Sequence, residues 1–110
     1  MAYIEIHWTA PSINEARKVA RLLVQEKMVA CAHIIPWVES VFLWKDILET
    51  TQEVKIIFKT VKNRFEDVKR VILEHTSYEV PEILEVPITD GHTKYLEWVT
   101  ESVTESVVSH

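Results

Sequence analysis

One glycine and one cysteine in 110 residues exclude a good deal of chemistry before any motif is sought. A lone Gly91 leaves no glycine-rich turn through which backbone could approach a phosphate, so Walker-type and dinucleotide-binding loops are set aside. A lone Cys31 rules out an intrachain disulfide and a four-cysteine zinc site within one chain. Positive charge is scarce as well: 12 Lys and Arg are scattered among 17 Asp and Glu, for a formal charge of -5. That balance argues against a nucleic-acid groove, which needs clustered bases for the phosphates. The longest uncharged apolar run, Met28 to Val38, is broken by His33 and Pro36 and is far short of a membrane span. The N-terminus shows no basic start followed by an apolar export segment, so the expectation is a cytoplasmic protein without a membrane partner. With 47% hydrophobic and 26% charged residues, the composition is that of one globular domain, residues 1–110, with one core.

What the chain does have is an unusual strand. From Cys31 to Trp44 both alternating faces are apolar, with Ala32, Ile34, Val38, Phe42 and Trp44 at even positions and Cys31, Ile35, Trp37, Val41 and Leu43 at odd ones. A half-solvated strand does not read this way. Fully extended, the segment would run roughly 45 Å, whereas a compact chain of this length has a radius of gyration of about 13 Å. The strand therefore overshoots its own domain, and its surplus apolar surface needs cover from another copy of the chain.

The rest of the sequence supplies ordinary elements. Alternation over Ala2 to Trp8 predicts a strand, ended by Thr9-Ala10-Pro11. Ser12 and Glu15 form a capping box, and Ile13, Ala16, Val19, Ala20 and Leu23 place one buried stripe on a helix that runs to about Met28. Pro36 lacks an N–H and predicts a bulge or an unpaired edge inside the long strand. Trp44-Lys45-Asp46 begins a reversal, and Val54 to Thr60 returns as a second strand of the hairpin. Asn63 is the expected cap of a helix with Phe65, Val68, Ile72 and His75 on its inner stripe. Val80 to Ile88 is an edge strand because of Pro81 and Pro87, Asp90-Gly91 is a turn, and Leu96, Val99, Val103 and Val107 mark a last helix from Thr93 that frays toward His110. The order is β-α-β-β-α-β with a further C-terminal helix, an α+β fold of the ferredoxin-like kind.

Five segments in this order carry a family likeness: Ala30 to Pro36, Ser40 to Trp44, Lys59-Thr60, Tyr78 to Ile83 and Gly91 to Trp98. Together they resemble the CutA divalent-cation tolerance family over almost the whole chain. The resemblance implies a ferredoxin-like homotrimer tied to divalent metal, chiefly Cu2+, with an assembly similar to that of PII-like signalling proteins and a regulatory rather than an enzymatic role. The chain departs from the family pattern at His33, Phe42 and Asp46, where Asn, Tyr and Gly are usual. It also departs at the metal site that a bacterial member is expected to use: a Cys before Thr-Ala-Pro is Trp8 here, and a His pair is His75 and Thr76.

Imidazole and thiolate suit copper and zinc, which makes His75, Cys31 and His33 the candidate metal ligands. Cys31 and His33 share strand parity and lie about 7 Å apart along the backbone. Each candidate also has a packing explanation: a hydrogen-bonded His on a helix stripe, and a buried thiol. Trp44, Lys59, Tyr78, Glu79 and Trp98 match family positions and mix aromatic, basic and acidic groups, as a pocket at a subunit boundary would. A small anionic metabolite bound between subunits near Lys59, Trp44 and Tyr78 is the alternative to a divalent-cation role, and the packing alternative makes the tryptophans interface anchors, Lys59–Glu79 an ion pair and Tyr78 a packing residue with its hydroxyl satisfied. Glu79, Glu82 and Glu85 are what an edge strand shows to water. Without a nucleophile or a partnered base, no catalytic residues are expected.

Overall fold

The computed structural model describes residues 1–103; the expected continuation of the last helix through Val107 lies outside them. Its elements are β1 (Tyr3–Ala10), α1 (Ile13–Gln25), β2 (Cys31–Trp44), β3 (Ile47–Val61), α2 (Phe65–His75), β4 (Ile83–Ile88) and α3 (Thr93–Ser102). The strands form one antiparallel sheet in the order β2-β3-β1-β4, the ferredoxin-like arrangement with α3 added. β4 lies at an edge, where Pro87 costs no ladder bond on its outer side.

One sheet face is covered by helices. Ile4, Ile6, Trp8 and Ala10 of β1 stand in register with Thr60, Phe58, Ile56 and Val54 of β3, and the apolar members pack against Ala16, Val19, Ala20 and Leu23 of α1 and Val68, Val71 and Ile72 of α2. Trp8 is fully buried and stacks on Phe58 with ring centroids 6.5 Å apart. The other face is open except where α3 docks at one end. There Val99 and Val103 meet Ala30 and Val61, and the Tyr3 phenol and Thr100 hydroxyl lie 2.7 Å apart.

Five expectations need correction. Helix α1 stops at Gln25 because Lys27 turns left-handed (φ 59°), and the N–H groups of Lys27 and Met28 close back on the carbonyls of Val24 and Leu23 at 3.0 Å each. The capping box is half made: Ser12 Oγ accepts from the Glu15 N–H at 3.2 Å, but the Glu15 carboxylate turns away to the α2–β4 connection. Asn63 is not the α2 cap, since it lies in a 3-10 turn over Lys62–Arg64 that runs into the helix. Strand β4 begins at Ile83, not Val80, and β3 begins at Ile47, not Val54.

The early start of β3 makes the hairpin long. Lys45 and Asp46 form its two-residue turn with φ of 52° and 66°, the left-handed pair that matches strand twist. Beyond the end of β1 the hairpin projects alone, since β1 pairs with β3 only from Val54 to Val61. The molecule measures 44 × 32 × 22 Å.

Pro36 does produce a bulge. Ile35 pairs with Lys55 and Val38 with Glu53, so Pro36 and Trp37 together oppose the single Val54, and Trp37 has φ 70°. The extra residue reverses side-chain parity. Ala32 and Ile34 face the helices with Phe58 and Ile56, yet Val38, Phe42 and Trp44 fall on the open face with Glu53, Glu49 and Ile47. The even positions therefore do not share one face, as simple alternation had predicted. Both faces of the projecting part remain apolar all the same: Val41, Leu43 and Leu48 are exposed on one, Phe42, Trp44 and Ile47 on the other, and Trp37 at the bulge is 64% exposed.

Candidate functional site

The predicted site residues separate into three places. His75 ends α2 on the helix-covered side, half-buried, and its Nδ1–H donates to the Val71 carbonyl at 2.8 Å. That bond fixes the ring and leaves Nε2 with its lone pair, the arrangement in which an imidazole ligates metal. Of the two other positions expected to bind metal in a bacterial relative, Trp8 is a core indole, and the Thr76 hydroxyl donates to Glu15 at 3.2 Å. Among the described residues, His75 therefore stands without the other two expected ligands. Among the described residues, no group of three or more His, Cys, Asp or Glu could hold a metal ion.

Cys31 and His33 begin β2 on the opposite, open face, opposite Lys59 and Ile57. They do share a face, as their spacing predicted. They do not converge with His75. A polar row surrounds them: Lys59 Nζ lies 3.4 Å from His33 Nδ1 and 3.9 Å from Glu5, whose other oxygen is 2.8 Å from His7 Nε2. An ammonium can only donate, so His33 Nδ1 accepts in this contact. Cys31 Sγ and the Tyr95 hydroxyl are 3.5 Å apart, and the Tyr95 ring tilts against Trp98 with centroids 5.6 Å apart. Burial, followed by the contact with Cys31, pushes the Tyr95 phenol up to about 12.

The third place is a cavity of about 820 Å³ between the open face of the projecting hairpin and the connection from α2 to β4. Phe42, Trp44, Glu49 and Glu53 contribute from the hairpin, and Tyr78, Glu79, Val80 and Glu82 from the connection. Tyr78 donates its hydroxyl to Glu53 at 2.5 Å, and burial together with that carboxylate raises the phenol well above its ordinary range. The connection is held from below by Glu15, which accepts from the Ser77 N–H at 3.2 Å and the Ser77 hydroxyl at 2.8 Å.

Trp44, Tyr78 and Glu79 thus share one cavity, whereas Lys59 and Trp98 belong to the row near Cys31. The expected five-residue pocket is two sites in one chain. Lys59 pairs with Glu5 and His33, not with Glu79. Glu53, Glu15, Glu5 and His7 were not singled out from the sequence, although Glu5 and His7 share a strand face. Glu53 is hidden in the polar run Glu49–Glu53, which resembles a loop.

A model of the CutA1 divalent ion tolerance protein matches residues 4–102. The chain belongs to that family. A CutA1 crystal structure from Oryza sativa superposes with a TM-score of 0.93 at 32% identity, covering 96% of this chain and 97% of the other. The periplasmic divalent cation tolerance protein CutA from Archaeoglobus fulgidus gives 0.89 at 34% identity, covering 93% and 99%. In sequence, the divalent-cation tolerance protein CutA of Thermus thermophilus is 35% identical over 94 residues, 86% of this chain and 91% of that one. The chloroplastic CutA of Arabidopsis thaliana is 36% identical over 99 residues, and this chain spans about half of it (54%). CutA relatives thus carry chloroplastic and periplasmic labels, and no helix among the described residues is long and apolar enough to cross a membrane.

Proposed function

We propose that this CutA-family chain acts in divalent-cation tolerance as a homotrimer that binds Cu2+, in a regulatory rather than a catalytic role. One observation carries the reading: the projecting hairpin displays large apolar residues on both faces, beyond the reach of its own helices. Neighbouring copies of the chain are the cover this reading supplies. The cation is assigned to His75, whose ring is preset by Val71 with Nε2 free. A single imidazole does not make a closed copper site, so the remaining ligands come from outside the one chain. Cys31 and His33, on the other face, form a second and separate donor pair.

Titration of the purified protein with Cu2+ tests the assignment. Specific uptake lowered by His75→Ala supports it, and equal weak uptake by both proteins rejects it. A second reading is favoured by Lys59, whose ammonium lies on the open face near the Tyr95–Trp98 pair: a small anionic metabolite bound between subunits. If a metabolite panel leaves tryptophan emission and melting temperature unchanged while Cu2+ shifts both, this second reading is lost.

A further inference from the structure

The fold sorts charges that the sequence scatters. The helical layer, residues 11–30 and 62–76, carries eight of the 12 Lys and Arg but only five of the 17 Asp and Glu, so a chain of formal charge -5 has one positive side. The excess gathers on α1. Its core stripe is Ala16, Val19, Ala20 and Leu23. On its outward side stand Arg17, Lys18, Arg21 and Val24, at i, i+1, i+4 and i+7, and all four are exposed. Like charges at this spacing repel unless a carboxylate offsets them. Among the described residues none of the three bases is in an ion pair, whereas Lys69 and Arg70 of α2 pair with Glu66 and Asp67, and Lys62 with Glu85. The carboxylate that helical spacing would give Lys18, that of Glu15, is drawn off to the Ser77 N–H and hydroxyl. Glu26 is already the cap past the helix end.

We propose that α1 docks an acidic helical segment of a partner protein, with carboxylates spaced three or four residues apart on Arg17, Lys18 and Arg21 and an apolar side chain on Val24. Charge complementarity decides the occupant. The guanidinium forks of Arg17 and Arg21 take carboxylates through paired hydrogen bonds, and the four-residue step between them is one that a partner helix repeats. Val24, 39% exposed one turn further on, offers the apolar contact. A nucleic acid or an anionic bilayer presents a far broader negative surface. That surface would also meet the rest of the chain, with four Lys and Arg against 12 Asp and Glu, and be repelled. The proposed trimer buries the projecting hairpin, and the stripe is no part of it.

Fluorescence polarisation with a labelled synthetic helical peptide of about 18 residues, repeating Glu and Leu at helical spacing, is the test. Saturable binding that weakens as salt rises is expected. Affinity should fall by about tenfold or more in Arg17→Glu with Arg21→Glu, and should be unchanged in Lys94→Glu, an equal change of charge at an exposed base on α3. Both variants should melt and sediment as the parent does, whatever the parent's oligomeric state. The proposal is overturned if the peptide does not bind, if Lys94→Glu weakens it as much, or if the same peptide with Lys in place of Glu binds equally. It is also overturned if the double variant sediments as smaller species, which makes the stripe a contact between copies, or if phosphatidylserine vesicles bind the chain and displace the peptide.

Discussion

At the scale of single residues, the Tyr78–Glu53 contact and the hairpin turn have consequences that can be measured separately. Tyr78→Phe removes the one hydrogen bond that the buried Glu53 carboxylate receives among the described residues and should cost about 1–3 kcal/mol, whereas Tyr78→Phe with Glu53→Leu should recover much of the loss, because the carboxylate is then gone as well. Urea denaturation of the two variants makes the comparison. Tyr78 and Tyr95 both have folded values raised above their unfolded value of 10, so the fold favours their neutral forms. That stability is fully present below pH 10 and is lost as pH rises through the folded values. Melting temperature should thus fall from about pH 10 upward, and fall less in Tyr78→Phe. In the turn, Lys45 and Asp46 hold left-handed backbone that side chains resist, so Lys45→Asn with Asp46→Gly should raise stability by about 1 kcal/mol, read as a higher urea midpoint.

At the scale of elements, the clamp on the α2–β4 connection replaces the capping box that Ser12 and Glu15 had suggested. Glu15→Ala should cost about 2 kcal/mol and should speed amide exchange at Ser77, while the start of α1, still capped by Ser12, keeps its protection. The element order, the buried stripes of both main helices and the bulge at Pro36 were legible because each follows from local spacing or from a missing N–H. What alternation could not show was the effect of that bulge: a residue counted once too often moves Val38, Phe42 and Trp44 to the other face. The first half of β3 was illegible for a related reason. Glu49, Thr50, Thr51, Gln52 and Glu53 carry no apolar period, and they are held in a strand by pairing with Phe42 through Val38 rather than by any preference of their own. In the same way, Lys59 and Tyr78 belong to one family pattern yet fall in different sites, since sequence order does not reveal that the connection crosses the end of β1.

For the whole molecule, the exposed apolar hairpin makes association the dominant expectation. Trp37→Asp or Val41→Asp, both at exposed positions of a single chain, should weaken assembly by about 2 kcal/mol or more per interface and yield smaller species in sedimentation at micromolar concentration. Folded monomers of the unmodified chain under the same conditions would remove the basis for the trimer. The acidic cavity has a different origin, in simple strand arithmetic. β3 has 15 residues and β1 only 8, so past Ala10 the longer strand has no neighbour on that side and the 78–82 connection stands off in its place. The room exists because a strand ends early. A chain of this design that lengthened β1 by a few residues would gain ladder bonds along Glu53 and Thr51 and lose the chamber, so the brevity of β1 sets whether there is space for any guest.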